Sequence, residues 1–201
     1  MTQAPQTASG DSLDALATTG PRGRGKPSLA LCVLLCAAAN ATAAVLLLLF
    51  GRPLLPQQET LRLWSTGFGA ASNSQHLTDP YSFMHAVFGA GLCLFLDRLK
   101  PDWPVRSKLA VAVLGSVLWE IVENTPMVID LFNASNQPGA YSGDTILNAL
   151  SDTGFVMLGF LAARFVGWRG TLLLALLVEV ALSATIGDGF VLGILAVFGL
   201  F

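Results

Sequence analysis

Leu118-Trp119-Glu120-Ile121-Val122-Glu123-Asn124 closes an apolar run that begins at Ser107, and it decides how this chain is read. Two carboxylates and an amide stand where an apolar helix should exclude them. A second run opens the same way, with Gly143-Asp144-Thr145-Ile146-Leu147-Asn148-Ala149-Leu150-Ser151-Asp152-Thr153. An ionisable group at membrane depth costs roughly 3 kcal/mol or more unless it is paired, hydrated or bound to a cation, so such groups mark functional sites.

The composition fits a membrane setting. The 201 residues are 53% hydrophobic and only 12% charged, with mean hydropathy +0.63, too little polar surface for a soluble domain of this size. A formal net charge of -2 excludes a nucleic-acid partner, which needs a basic face to neutralise phosphates. Membrane lipids, another membrane protein or a second copy of the chain are the partners this composition admits. Cys32, Cys36 and Cys93 all fall in apolar runs and read as small hydrophobes, not as a disulfide or a zinc-thiolate site.

The sequence predicts an all-α fold, a polytopic membrane helical bundle of about five to six transmembrane helices. Residues 1–27, rich in Thr, Ser, Ala, Gly, Pro and Gln and ending in Arg22-Gly23-Arg24-Gly25-Lys26-Pro27, read as a disordered cytoplasmic tail. Residues 28–201 form the membrane domain. Its first apolar run, Ser28 to Phe50, exceeds the roughly 7–15 residues of a signal-peptide core and reads as a retained helix. Further spans are expected at Tyr81–Leu96, Ser107–Glu123, Thr145–Val166 and Gly170–Thr185, with a last, short piece from Gly189 to Phe201 after the Gly187-Asp188-Gly189 turn. Loops at Gly51–Pro80 and Pro126–Gly143, the latter carrying Asn133, Asn136, Gln137 and Tyr141, would cover one end of the bundle.

Basic residues favour the cytoplasmic side. With six crossings and a cytoplasmic N-terminus, Arg22, Arg24, Lys26, Arg98, Lys100, Arg106, Lys108, Arg164 and Arg169 lie inside, and only Arg52 and Arg62 outside. Asp79, His85, Glu120, Glu123, Asn124, Asp144, Asn148 and Asp152 then share one outer layer. Glu120, Glu123 and Asn124 are spaced i, i+3, i+4, and Asp144, Asn148 and Asp152 are spaced i, i+4, i+8, so each set lies on one helical face.

Crowded carboxylates in a low-dielectric layer either share protons or surround a cation. Oxygen donors with one imidazole suit a divalent ion such as Zn²⁺, Mn²⁺ or Mg²⁺, with His85, Glu120, Glu123, Asp144 and Asp152 as ligands and Asp79, Asn124 and Asn148 in support. The primary expectation is a cation-binding membrane protein acting in envelope or lipid-related processes. The alternative is a metal-dependent hydrolase of a lipid phosphate or lipid-linked glycan, with Glu120 or Glu123 as base. Against catalysis stands the lack of a compact catalytic motif, Arg62 being the one arginine expected within reach of a phosphate. Structural readings compete: Asp144 as an N-cap, Asn40 as an interhelical contact, Glu179 as a protonated or hydrogen-bonded group, less readily a proton relay, and Asp188 as a solvated cap.

Three ordered motifs add a resemblance. Ser74-Gln75-His76-Leu77-Thr78-Asp79-Pro80-Tyr81-Ser82-Phe83-x-His85, then Trp119-Glu120-x-x-Glu123-Asn124-Thr125-Pro126, then Tyr141-x-Gly143-Asp144-Thr145-x-x-Asn148-x-x-x-Asp152-Thr153 resemble the uncharacterised bacterial inner-membrane family UPF0314 between Trp64 and about Arg164. More distantly the pattern is similar to YjdF and VanZ-like membrane proteins. The resemblance implies a membrane bundle and supplies no reaction.

Overall fold

The computed structural model describes residues 26–66, 72–134 and 141–200. Most of the tail expected over residues 1–27, and Asn136 and Gln137 of the second loop, lie outside the described residues.

Every regular element described is a helix: α1 Leu29–Leu49, α2 Pro80–Leu99, α3 Val105–Glu123, α4 Pro126–Ala134, α5 Ile146–Ile186 and α6 Phe190–Val197. The starts follow from local chemistry. Ser28 accepts a hydrogen bond from the Leu31 N–H (3.1 Å) at the head of α1. At α2, Asp79 Oδ1 accepts from the Tyr81 and Ser82 N–H groups (2.8 and 3.3 Å). Ser82 Oγ accepts from the Asp79 N–H in return (3.2 Å), and Pro80 supplies a pre-set φ at the first helical position.

Three helices, α1, α2 and α5, are long and apolar enough to cross a membrane. Their outward faces are apolar; Leu49, Phe165 and Leu172 are all exposed, the inverse of a water-soluble surface. At 41 residues, α5 would be about 60 Å long if straight, twice the roughly 30 Å hydrocarbon core. It is not straight. Gly167 adopts φ 67°, ψ -177° inside it, a left-handed φ that suits a residue without Cβ, and this separates an arm over 146–166 from one over 168–186. Both ends of α5 approach the head of α2 and the loop before it: Asn148 Nδ2 donates to the His76 carbonyl (3.0 Å) and Tyr81 OH to Asp188 Oδ2 (3.1 Å). The chain therefore reverses at Gly167, between the segments expected at Thr145–Val166 and Gly170–Thr185.

One expectation needs correction. The segment expected as a loop from Pro126 contains α4, because Thr125 C=O accepts from both the Val128 and Ile129 N–H groups (3.1 Å each) and Val128 and Ile129 are buried. The last apolar piece holds a helix of only eight residues, about 12 Å long and too short to cross by itself.

The main packing unit joins α2 to the first arm of α5. Gly89 lies against the Val156 backbone and Gly159 against the Ala86 carbonyl, so closely that a Cβ at either glycine would overlap main-chain atoms. Small residues let helices approach this closely in membranes. Around the contact Cys93, Leu96, Ala112, Val156, Phe160 and Ala163 form the core, while α1 packs on α3 through Ala43, Val113 and Val117. At one end Asp97 receives Lys108 Nζ (2.7 Å) and Arg164 Nη1 (3.2 Å), tying α2, α3 and α5 together.

Adding a methyl group at the glycine contact should separate α2 from α5. Gly89→Ala and Gly159→Ala are each expected to destabilise the fold by about 1–3 kcal/mol, the usual range for overpacking. Gly91→Ala, which meets open space, should leave thermal unfolding in detergent near wild type. Equal effects at Gly89 and Gly91 would contradict this packing.

Candidate functional site

The site lies at the end of the bundle opposite Asp97. His85, one and a half turns into α2, directs Nδ1 to Glu120 Oε1 of α3 (3.5 Å) and Nε2 to Asp152 Oδ2 of α5 (3.8 Å). Glu123 lies one turn beyond Glu120. One donor atom from each of His85, Glu120 and Glu123 lies within 4.8 Å of the others, a spacing from which they can close on a metal ion. First-row ions bond such ligands at about 2.0–2.2 Å, so only small side-chain shifts are needed.

Burial makes the grouping unusual. Glu120 is 2% exposed and Asp152 3%. Neither Glu120 oxygen has a hydrogen-bond partner, nor have Glu123 Oε2 and Asp152 Oδ1. Buried polar atoms in folded proteins are nearly always paired, so a carboxylate with both oxygens orphaned requires an explanation. No Lys or Arg forms an ion pair with any of these three carboxylates among the described residues. The unpartnered oxygens fit a bound cation.

Asp144 and Asn124 serve differently. Asn124 Nδ2 donates to Asp144 Oδ2 (2.6 Å), and the Asp144 N–H donates back to Asn124 Oδ1 (2.7 Å). Tyr141 OH fills the remaining position on Oδ1 (2.9 Å). Burial raises the Asp144 pKa to about 6 against the opposing pull of the Asn124 and Tyr141 hydrogen bonds. Burial likewise pushes the Asp79 carboxyl upward. Both Asp144 oxygens are thus occupied, and Asp144 joins the end of α3 to the start of α5 instead of joining the His85–Glu120–Glu123 group. It is not the N-cap; Thr145 is, accepting the Asn148 N–H on Oγ1 (3.1 Å). Asn148 and Asp79 flank the site, the first bonded to the loop at His76 and the second capping α2.

Several polar residues take roles the sequence does not announce. Asp188 is buried, not solvated, and receives Tyr81 OH as well as the Gly189 N–H (2.7 Å). Glu179 caps α6, accepting from the Phe190 and Val191 N–H groups (2.9 Å each). That commits both its oxygens to a helix start. Asn40 bonds within its own helix, to the Cys36 carbonyl (2.9 Å). Arg62 pairs with Glu59 (3.3 Å), and Arg52 instead reaches the site's covering loop, at the Ser142 carbonyl. His76, fully buried and 3.2 Å from Glu59 Oε2, anchors the first loop. The Gly187-Asp188-Gly189 turn was the one sequence signal for Asp188.

A cavity of about 560 Å³ opens onto His85, Glu123, Asp144 and Asp152, a size within the usual range of small-molecule sites.

The family model described as "Protein of unknown function (DUF2585)" matches residues 47–199. A UPF0314 protein of Sphingopyxis alaskensis is 36% identical over 162 residues, covering 81% of this chain and 86% of the relative. One of Agrobacterium fabrum is 34% identical over 75% of this chain and 76% of the relative, and one of Rhizobium meliloti 34% identical over 83% and 84%. No solved structure matches. The chain belongs to the UPF0314 family, in agreement with its three motifs.

Removing the amide partner should expose the role of the Asn124–Asp144 pair. Asn124→Ala leaves a buried carboxylate oxygen and a buried N–H without partners and is expected to cost about 1–3 kcal/mol. Tyr141→Phe, which removes one hydrogen bond, should cost about half as much, both read by thermal or denaturant unfolding in detergent.

Proposed function

We propose that this chain is a multi-pass protein of the bacterial inner membrane, N-terminus cytoplasmic, whose buried acidic layer faces outward and binds a divalent cation in an envelope or lipid-related process. The observation that carries the reading is Glu120, buried with two unpartnered oxygens beside His85 and Glu123 at ligand spacing. One imidazole with carboxylates favours Zn²⁺ or Mn²⁺ over Mg²⁺, which prefers to keep its waters. The orientation is supported by the nine-to-two distribution of basic residues and by the basic clasp on Asp97 at the opposite end.

Metal hydrolysis of a lipid phosphate or lipid-linked glycan is the second reading. The cavity on Glu123 and Asp152 favours it, since a carboxylate not used in ligation would be placed as a base.

Detergent-purified wild type, incubated with Zn²⁺ or Mn²⁺ and desalted, should retain about one equivalent by elemental analysis, as expected of a preformed ligand set. His85→Ala and Glu120→Gln should lose it. Saturating metal, at about 100 times Kd, should stabilise wild type by about 2.7 kcal/mol and leave Glu120→Gln unmoved. Without metal, Glu120→Gln should match or exceed wild-type stability, because a neutral amide of the same shape replaces a buried carboxyl group that no Lys or Arg pairs with. A folded wild type that retains no metal would refute the cation centre. Cysteines introduced into 101–104 should be shielded from an impermeant thiol reagent in intact cells, and those in 57–62 should react; the reverse pattern would invert the orientation.

A further inference from the structure

The cavity has two chemically different ends. His85, Glu123, Asp144, Asp152 and Asp188 form its floor, four carboxylates against one imidazole, and no Lys or Arg lines it among the described residues. Asp152, which lines the cavity, keeps one buried oxygen without a hydrogen-bond partner. The walls are apolar: Phe88 from α2, Leu131 from α4, and Ile194 and Phe198 from α6 and its end.

These wall residues also belong to the outer apolar surface. Phe198 is 74% exposed and Ile194 58%, so the lining continues into the face that the membrane reading assigns to lipid. A molecule can thus enter sideways, with its hydrocarbon part never leaving apolar surroundings. At the floor, the excess of carboxylates attracts a cationic head and repels an anionic one. Tyr81, Trp119 and Tyr141 stand around the same space and add aromatic faces, which bind ammonium groups well.

From this pairing of ends we propose that the cavity binds a single-chain amphiphile with a protonated amine head, the chain along α6 and the amine at Asp152 and Glu123. The inference rests on reading the layer as a cation site, but not on the metal. Two clasps hold the α6 wall in place: Glu179 on the Phe190 and Val191 N–H groups, and Tyr81 on Asp188.

The test uses the full chain in nonionic detergent with metal removed by chelation, and calorimetric titration with dodecylamine, dodecanol and dodecyl phosphate. Dodecylamine should bind at least tenfold more tightly than either chain-matched analogue. Asp152→Asn should weaken it at least tenfold, and so should Ile194→Trp, which fills the apolar end without touching a charge. Lysophosphatidylethanolamine set against lysophosphatidylglycerol identifies the source: a preference for the former points to a membrane aminolipid, and preference confined to dodecylamine points to a free alkylamine. Equal binding of dodecylamine and dodecanol, or undiminished binding in both folded variants, would overturn the proposal. Dodecyl phosphate binding only after Zn²⁺ or Mn²⁺ is restored, with no amine preference, would also overturn it while leaving the metal centre standing.

Discussion

The close approach of α2 to the first arm of α5 is the constraint on which the rest depends. Gly89 against Val156 and Gly159 against Ala86 bring two backbones together with no side chain between them. Without a hydrophobic drive between helices in lipid, such contacts supply van der Waals attraction that bulkier residues would forfeit. One turn from Gly89 toward the start of α2 lies His85, and nearly two turns from Gly159 toward the start of α5 lies Asp152. Their 3.8 Å approach follows from the same helix spacing.

The third side of the site is held by hydrogen bonds instead. Asn124 and Asp144 exchange two bonds across the end of α3 and the start of α5, and Tyr141 adds a third. This places Glu120 and Glu123 opposite His85. The molecule thus divides its acids into two sorts, those satisfied by neighbours and those left open. Asp144, Asp188 and Glu179 belong to the first. Glu120 has both oxygens open, and Glu123 and Asp152 one each, an arrangement that lowers stability unless something binds there. Such groups cluster at functional sites.

Helix ends also shape the end of the bundle that holds the site. The capping box at Asp79, the Thr145 cap and the Glu179 cap on α6 satisfy N–H groups that would otherwise be orphaned. Two loops meet over the acids: Thr145 N–H donates to the Ser74 carbonyl (3.0 Å), Ile146 N–H to the Pro53 carbonyl (2.9 Å), and Gln75 Nε2 to the Gly143 carbonyl (2.7 Å). The cover is therefore tied to the start of α5.

Sequence alone determined the helical class, the apolar spans and the layer of acids, because hydropathy and spacing are local properties that lipid and helix geometry read directly. It also placed the break in the long apolar region, where Gly167 separates α5 into two arms. The tertiary structure decided which acids are open. Asp144 and Glu120 look alike in sequence, yet one is enclosed by Asn124 and Tyr141 and the other faces His85 with nothing donating to it. It likewise decided that Asp188 lies buried against Tyr81, that the hydrogen bonds of Glu179 go to the start of α6, and that Arg52, not Arg62, reaches the loop over the site. Most of these pairings join residues from 11 to 107 positions apart, and a hydrogen bond depends on positions to within a fraction of an ångström, which only the packed helices supply.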